Sequence, residues 1–295
     1  MRTLNPTLTH HNGRSQLLLE RRFAHSPAKV WRALTEPAQL NQWFPFDVEI
    51  ELRLGGKVHF IEKGAKEPSS DGEITELDPP RLLAFTWYGD LLRWELQPDG
   101  DGCRLIFTHT FADRAGAASF AAGWQVCLSA MADVLDRKPV DEAAYTGPEW
   151  RRQMAELHEA YADALGLSAG SVETTADGWQ VRFERQLIKP IDEVWARLTG
   201  DSTPSAGSAP PKEVTTQAVQ AGPVTAVESP TLLEYEWQVA GRPAGRVRWE
   251  LAQGTGHGAR LILAQTGSHE SVGHQATALA AWEHHIEQVA KGLIE

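Results

Sequence analysis

The spacing of apolar residues changes from strand-like to helix-like within the first 35 residues. Leu17–Phe23 predicts a strand, and Val30, Trp31 and Leu34 then recur at the three- and four-residue spacing of one buried helical face. Ser26 and Pro27 precede these residues and supply an N-cap and a first-turn proline. The pattern therefore predicts a strand that is followed directly by a short helix.

A series of short strand-like segments follows the helix. Asn41–Pro45 predicts a turn or a short second helix, and Gly55-Gly56 predicts a hairpin turn. Turn sequences such as Asp78-Pro79-Pro80 then separate five predicted strands. These are Lys57–Ile61, Gly72–Leu77, Leu82–Trp87, Leu92–Gln97 and Arg104–Phe111. Such a series predicts an antiparallel meander.

A long helix, Ala115–Leu135, comes after the meander. One apolar stripe runs along it, formed by Phe120, Trp124, Cys127, Leu128 and Met131. A helix with such a stripe has to bury it, and the sheet is the available surface. The predicted fold class is α+β, a curved antiparallel sheet closed by a long C-terminal helix.

The pattern occurs twice. Sequences similar to Glu20-Arg21 and to the segment from Val30 to Thr35 occur again 164 positions later in the chain. Trp31, for example, corresponds to Trp195 (195 − 31 = 164). Later matches pair Trp87 with Trp237, Trp94 with Trp249 and Trp124 with Trp282, at offsets of 150, 155 and 158. The fall from 164 to 150 predicts that the second copy has lost about one helix and one strand.

The two copies predict two tandem domains, 1–167 and 168–295. A polar segment with a periodic helix, Glu149–Leu165, ends the first copy, and the boundary is placed at Ser168–Ser171. The first domain is predicted to be complete and the second shortened. We expect the first to hold the main cavity, because the second has less sheet to curve around one.

Charge and cysteine content restrict the partners. Lys plus Arg total 28 against 39 Asp plus Glu, and the net charge of −11 opposes nucleic acid and anionic membrane surfaces. Cys103 and Cys127 lack metal-type spacing and are predicted to be free thiols in packing positions. The polar segment 1–14 lacks a signal-peptide core, and no apolar run suits a membrane span. These features predict a cytoplasmic protein without membrane insertion.

Several motifs of the first copy resemble one protein family. They are Arg22–Trp31, Trp43-Phe44-Pro45, Gly55-Gly56, Leu77–Leu82, Trp94-Glu95-Leu96, Thr108-His109 and Ala122-Gly123-Trp124. They resemble the START-like SRPBCC superfamily, which has the helix-grip fold, and within it the proteins related to the C-terminal domain of the heat-shock protein 90 ATPase activator. The resemblance covers residues 15–165, and the second copy matches only in parts. It implies two helix-grip domains, the second degenerate, and a cavity of the kind that binds sterols, lipids or polyketides.

Residue parity assigns side chains to the face beneath the closing helix. Leu105, Phe107 and His109 share one face of their strand, as do Phe85 and Trp87. Such aromatic residues usually form a packed core, but a strongly curved sheet can leave space for an apolar ligand. The candidate ligand-binding residues are Trp43, Phe60, Phe85, Trp87, Trp94, Phe107, His109, Phe120, Trp124 and Met131.

His109 is the polar group that parity directs inward. It could orient a ligand or carry a proton, and the alternative is a core histidine with a backbone partner, since the pattern identifies no inward carboxylate beside it. The second copy has Gln265 at this position and His285 at the position of Cys127. The two interiors are therefore predicted to differ chemically.

Motifs for other chemistry do not meet their spacing requirements. His269 and His274 are five residues apart, where a zinc-binding helix needs four, and His284 and His285 point to different helix faces. Gly254, Gly256 and Gly258 predict a hairpin turn, because no phosphate-binding lysine follows. No nucleophile motif is present. We predict no metal, no cofactor and no catalytic residue.

Three function classes remain open. The first is a non-catalytic binding module for an apolar small molecule or a partner segment, which the aromatic interior favours. The second is a co-chaperone, which the family resemblance implies, with a chaperone as its partner. The third is a cyclase-type enzyme, which would need a polar dyad inside the pocket. The sequence specifies neither the ligand nor the oligomeric state.

Overall fold

The computed structural model describes residues 4–140, 147–255 and 258–294. The chain divides into two compact units, Met1–Arg151 and Arg152–Glu295. This division falls within one helix, so the assignment of residues 1–167 and 168–295 to two domains stays a proposal.

The first unit is an antiparallel sheet with two short helices and one long helix. Its elements are β1 (Leu4–His11), β2 (Arg14–Phe23), α1 (Pro27–Thr35), α2 (Pro37–Leu40), β3 (Asp47–Ile50), β4 (Lys57–Ile61), β5 (Pro68–Asp78), β6 (Leu82–Trp87), β7 (Asp90–Asp99), β8 (Gly102–Phe111) and α3 (Ala117–Leu135). The eight strands are ordered β1-β2-β8-β7-β6-β5-β4-β3. The five meander strands and the long helix are confirmed, whereas β1 and β3 have no counterpart in the sequence-based prediction.

The second unit has the same element order with fewer strands. After α4 (Gly147–Ala164), its elements are β9 (Ser171–Thr175), β10 (Gly178–Gln186), α5 (Ile191–Thr199), β11 (Gln220–Glu228), β12 (Leu232–Val239), β13 (Arg242–Gln253), β14 (Ala259–Ser268) and α6 (Gln275–Lys291). The sheet order β11-β12-β13-β14-β10-β9 repeats that of β5-β6-β7-β8-β2-β1. The described residues of the second unit contain no counterpart of α2, β3 or β4. The predicted deletion is therefore real and one strand larger than expected.

The start of α1 differs from the prediction in one detail. Ser26 occupies the N-cap position and Pro27 the first helical position, but the Ser26 side chain makes no capping hydrogen bond. Its backbone carbonyl accepts hydrogen bonds from the amides of Lys29 and Val30 instead. The buried face of the helix includes Val30, Trp31 and Leu34, as the spacing predicted.

Among the described residues, one helical segment, Arg114–Leu135, has the length and apolar composition of a membrane span. It packs on the sheet of the first unit, and it buries Trp124, Leu128 and Met131 there. These contacts are those of a core helix that closes a sheet.

The strands that directly precede α1 and α5 each carry a buried arginine at the repeated position. Arg21 on β2 is 2% exposed and Arg185 on β10 is 3% exposed. In the second unit Arg185 Nη2 donates to Glu159 Oε2 on α4 at 2.6 Å, and Glu159 is itself only 15% exposed. A buried charge needs such a partner, so this ion pair holds α4 against β10.

We predict that Glu159→Ala lowers the free energy of unfolding of the second unit by about 3–5 kcal/mol, because it leaves the Arg185 guanidinium buried without its carboxylate. Glu156→Ala on the same helix is the matched control. It removes an exposed pair with Arg152, and its cost should stay within about 1 kcal/mol. Urea unfolding at pH 7 measures the free energy of unfolding of both variants. If Glu159→Ala lowered it by no more than Glu156→Ala does, the structural role of the buried pair would be contradicted.

Candidate functional site

An aromatic cluster fills the space between the sheet of the first unit and α3. Its deepest part is Trp94 stacked on Phe107, with ring centroids 4.0 Å apart. Trp124 from α3 meets both rings edge-on, at 5.6 and 4.6 Å. All three side chains are almost completely buried. The alternation along β7 and β8 directs Trp94 and Phe107 to one face, and α3 then covers them.

Phe44 is the centre of the cluster, although the sequence analysis left it out of the candidate site. It follows α2 in a turn, and its ring lies 5.6–6.0 Å from four others, those of Trp43, Phe60, Trp87 and Trp124. Phe85 is 6.4 Å away. The Trp-Phe-Pro turn was the available signal, but its local pattern could not show which of its two rings faces the sheet.

The cluster continues to the surface through Phe46 and Tyr88. Trp87 lies 5.6 Å from Phe46 and 5.9 Å from Tyr88, whose side chain is 57% exposed. Tyr88 and Gly89 form the two-residue turn between β6 and β7, with φ of 50° and 83°. Both positive angles belong to a type I′ turn, which favours Asn, Asp or Gly and costs a tyrosine conformational energy.

The other predicted site residues lie around this cluster. Trp43 is buried, contacts Trp94 at 5.6 Å, and donates its indole N–H to Ala33 O at 2.8 Å. Phe120 contacts His109 with centroids 4.6 Å apart. Met131 is fully buried two helical turns beyond Trp124. The structure thus brings the predicted aromatic residues together, whereas whether they bind a ligand stays a prediction.

His109 is fully buried and uses both of its ring nitrogens. The indole N–H of Trp124 donates to His109 Nδ1 at 3.2 Å. Because an indole nitrogen can only donate, Nδ1 accepts, and the proton of the neutral ring is on Nε2. His109 Nε2–H donates to Asp90 Oδ2 at 3.0 Å. The expectation that no inward carboxylate accompanies His109 was therefore wrong.

Asp90 was missed because β7 begins two residues earlier than predicted. Its position has the same parity as Trp94, so it faces inward and lies diagonally across from His109. Arg14 is 3.6 Å from the other Asp90 oxygen, and its Nη2 donates to Gly89 O and Thr110 O. Burial lowers the pKa of His109, while the hydrogen bond and charge of Asp90 oppose that change.

The second unit repeats the framework with different polar groups. Trp282 on α6 donates its indole N–H to Gln265 Oε1 at 2.5 Å, in place of the Trp124–His109 contact. His285 accompanies these residues, 5.8 Å from Trp282, and burial lowers its pKa. The prediction that the two interiors differ chemically is confirmed. A titratable acceptor is present in the first unit and an amide in the second.

The first unit also has a surface groove of about 620 Å³. Its lining comprises Lys29, Arg32, Gln39, Gln42, Val134, Arg137, Lys138 and Pro139. None of the predicted site residues belongs to this lining. The groove is basic, and it is distinct from the aromatic cluster.

Both cysteines are free, as predicted. Burial raises the pKa of the Cys103 thiol to about 11 and that of the Cys127 thiol to about 12. At neutral pH each is protonated and weakly nucleophilic. The two thiols therefore fit the packing positions that the sequence indicated.

Several solved structures are similar to this chain. CalU16 from Micromonospora echinospora is 22% identical over 55% of this chain and 96% of its own, with a TM-score of 0.44. EF2215 from Enterococcus faecalis, described as a conserved protein of unknown function, is 24% identical over 54% and 88%, with a TM-score of 0.43. MLL2253 from Mesorhizobium loti is 21% identical over 42% and 99%, with a TM-score of 0.38.

No curated protein matches the chain. A family model does, over residues 24–136, and its description is Activator of Hsp90 ATPase homolog 1-like protein. The matched range lies inside the first unit and contains α1, the meander and α3. The resemblance inferred from the sequence motifs is confirmed for this range. The chain is therefore similar to the Activator of Hsp90 ATPase homolog 1-like family over residues 24–136 of its first unit.

Proposed function

We propose that the first unit is a non-catalytic binding module for an apolar small molecule or partner segment, held by the aromatic cluster. The observation that carries this proposal is the continuity of the cluster from buried Trp94 to exposed Tyr88. Packing alone does not require an aromatic residue at a turn position that favours glycine. Tyr88 occupies this position at a conformational cost, and its exposed ring supports a role in contact with a ligand.

The engagement of His109 favours binding over catalysis. A general base needs a free lone pair within reach of the proton that it removes. His109 Nδ1 accepts from Trp124, and Nε2–H is directed to Asp90. The His109–Asp90 pair therefore orients Trp124 within the site, and a cyclase-type reaction would first have to break one of these bonds.

A co-chaperone role is the second candidate, and the family match over residues 24–136 favours it. The same aromatic surface would then bind an apolar segment of a chaperone. Native mass spectrometry of the purified protein separates the two. We expect a copurifying apolar ligand of small mass, whereas a ligand-free chain that binds a chaperone would support the second candidate. A cytoplasmic location fits either function and stays part of the proposal.

We predict that Tyr88→Gly weakens binding of the apolar probe 2-isopropenylnaphthalene by roughly 3- to 10-fold, because it removes the exposed aromatic contact. Glycine suits the positive φ, but the change also removes the ring contacts with Phe46 and Trp87 and the hydrogen bond from the Tyr88 hydroxyl to Ser69 Oγ. These effects oppose each other, so the free energy of unfolding should change by no more than about 1 kcal/mol. Fluorescence titration and urea unfolding measure these quantities.

Ala240→Gly is the matched control, because Ala240 occupies the same type of turn position in the second unit, with φ of 51°. It reports the effect of glycine on the turn backbone alone and should leave probe affinity unchanged. If Tyr88→Gly also left the affinity unchanged, Tyr88 would not belong to the site.

We predict that His109→Gln reduces the loss of stability on acidification. Because burial lowers the folded-state pKa of His109, the unfolded chain binds more protons below about pH 6.5, and stability falls as pH decreases through that range. Glutamine keeps an acceptor for Trp124, as Gln265 does for Trp282, and does not titrate. Urea unfolding at pH 7.5 and 5.5 tests this.

Burial also lowers the pKa values of His158 and His285. Both histidines are present in the natural chain and in His109→Gln, so their contribution to the pH dependence of stability cancels when the two are compared. A pH dependence that is the same in the variant and the natural chain would show that His109 has the same pKa in the folded and the unfolded chain, and would contradict the prediction.

A further inference from the structure

The equivalent tryptophans Trp87 and Trp237 differ in one hydrogen bond. The Trp87 Nε1 atom is buried and has no acceptor among the described residues. Trp237 Nε1–H donates to Thr266 O at 2.7 Å. We infer that the ligand of the first unit is an apolar molecule with a carbonyl-type oxygen, and that this oxygen accepts the Trp87 N–H. This inference rests on the proposed function.

The absence of a side chain makes the arrangement in the second unit possible. Gly245 lies directly opposite Trp237 in the β12–β13 pair. A Cβ atom at this glycine would lie 2.6 Å from Trp237 Nε1 and 1.9 Å from Thr266 O. Both distances are far below van der Waals contact. Only glycine therefore permits the tryptophan to pair with the backbone of the sheet.

Two features of the first unit oppose the same hydrogen bond for Trp87. Asp90 lies directly opposite Trp87, so a Cβ and a carboxylate occupy the place that Gly245 leaves open. The carbonyl equivalent to Thr266 O is that of Thr110, because Leu91 pairs with Thr110 as Arg246 pairs with Thr266. Arg14 Nη2 already donates to Thr110 O at 3.0 Å. The Trp87 N–H has therefore lost the space that this pairing needs, and the equivalent carbonyl already accepts a hydrogen bond from Arg14.

An unpaired buried N–H is unfavourable, so an acceptor that reaches Trp87 recovers free energy that this unit alone leaves unused. Trp94 and Trp249 also have unpaired indole N–H groups, but they occupy equivalent positions in both units. They therefore reflect the common framework. The difference at Trp87 arises from Asp90 and Arg14, which belong to the polar network of the first unit.

Ser70 supplies a second unpaired polar atom beside the same rings. Its hydroxyl is buried and has no partner among the described residues. Ser70 on β5 lies directly opposite Phe60 on β4, and Phe60 lies 6.0 Å from Trp87. Residues opposite each other in an antiparallel pair share a face, so the hydroxyl lies on the ligand side of the sheet. A carbonyl oxygen can accept hydrogen bonds from both groups, which a pure hydrocarbon cannot do.

The test compares two isosteric probes, 2-acetylnaphthalene and 2-isopropenylnaphthalene, which differ in a C=O and a C=CH₂ group. We expect the natural chain to bind the ketone more tightly than the hydrocarbon. Trp87→Phe should reduce that preference by roughly 3- to 10-fold, because phenylalanine keeps a ring and lacks the N–H donor. Isothermal titration calorimetry gives all four affinities, and the ratio cancels any general loss of apolar contact.

Trp237→Phe in the second unit is the matched control and should leave the preference unchanged. A second measurement uses ¹⁵N-labelled tryptophan, in which the ketone and not the hydrocarbon should shift the indole N–H signal that Trp87→Phe removes. Equal binding of both probes, with equal effects of Trp87→Phe, would overturn the inference and leave the proposed function standing. Failure of the natural chain to bind either probe would overturn the proposed function itself.

Discussion

The closing helix of each unit carries a tryptophan that has to satisfy two conditions at once. Its ring is buried against the sheet, and its indole N–H needs an acceptor there, because an unpaired N–H in an apolar interior is costly. In the first unit Trp124 packs on Phe107 and Trp94 and donates to His109. In the second, Trp282 packs near Trp249 and donates to Gln265. This hydrogen bond connects the closing helix of each unit to the sheet beneath it.

The residue that accepts the indole N–H, His109 in the first unit and Gln265 in the second, determines which other polar groups lie near the tryptophan. A histidine that accepts through Nδ1 presents an N–H on its other side, and that N–H requires an acceptor of its own. Asp90 provides it, and Arg14 in turn accompanies Asp90. In the second unit Gln265 Nε2 has no partner among the described residues, and Gly245 lies where Asp90 lies in the first unit. The unit in which histidine replaces glutamine as the acceptor thus has a network of three charged or titratable groups, His109, Asp90 and Arg14.

The network also accounts for a difference between the two units at the indole N–H groups of Trp87 and Trp237. The second unit satisfies the N–H of Trp237 within its own backbone, at a glycine that allows close approach. The first unit leaves Trp87 unpaired, surrounds it with the rings of Phe44, Phe60 and Trp124, and extends these to the surface at Tyr88. The additional strands β3 and β4, which the second unit lacks among its described residues, contribute Phe60 to this cluster.

The sequence by itself determined the strand-helix-meander-helix order, the repeat and the inward side of β8, because apolar periodicity and turn residues act over short distances along the chain. Only the tertiary structure decided that Phe44 is central, that Asp90 meets His109 and that Thr110 is occupied by Arg14. The last two of these contacts join residues that are 19 and 96 positions apart. Which residues meet in these contacts depends on strand register and on the position of α3 on the sheet, and local sequence patterns do not encode either.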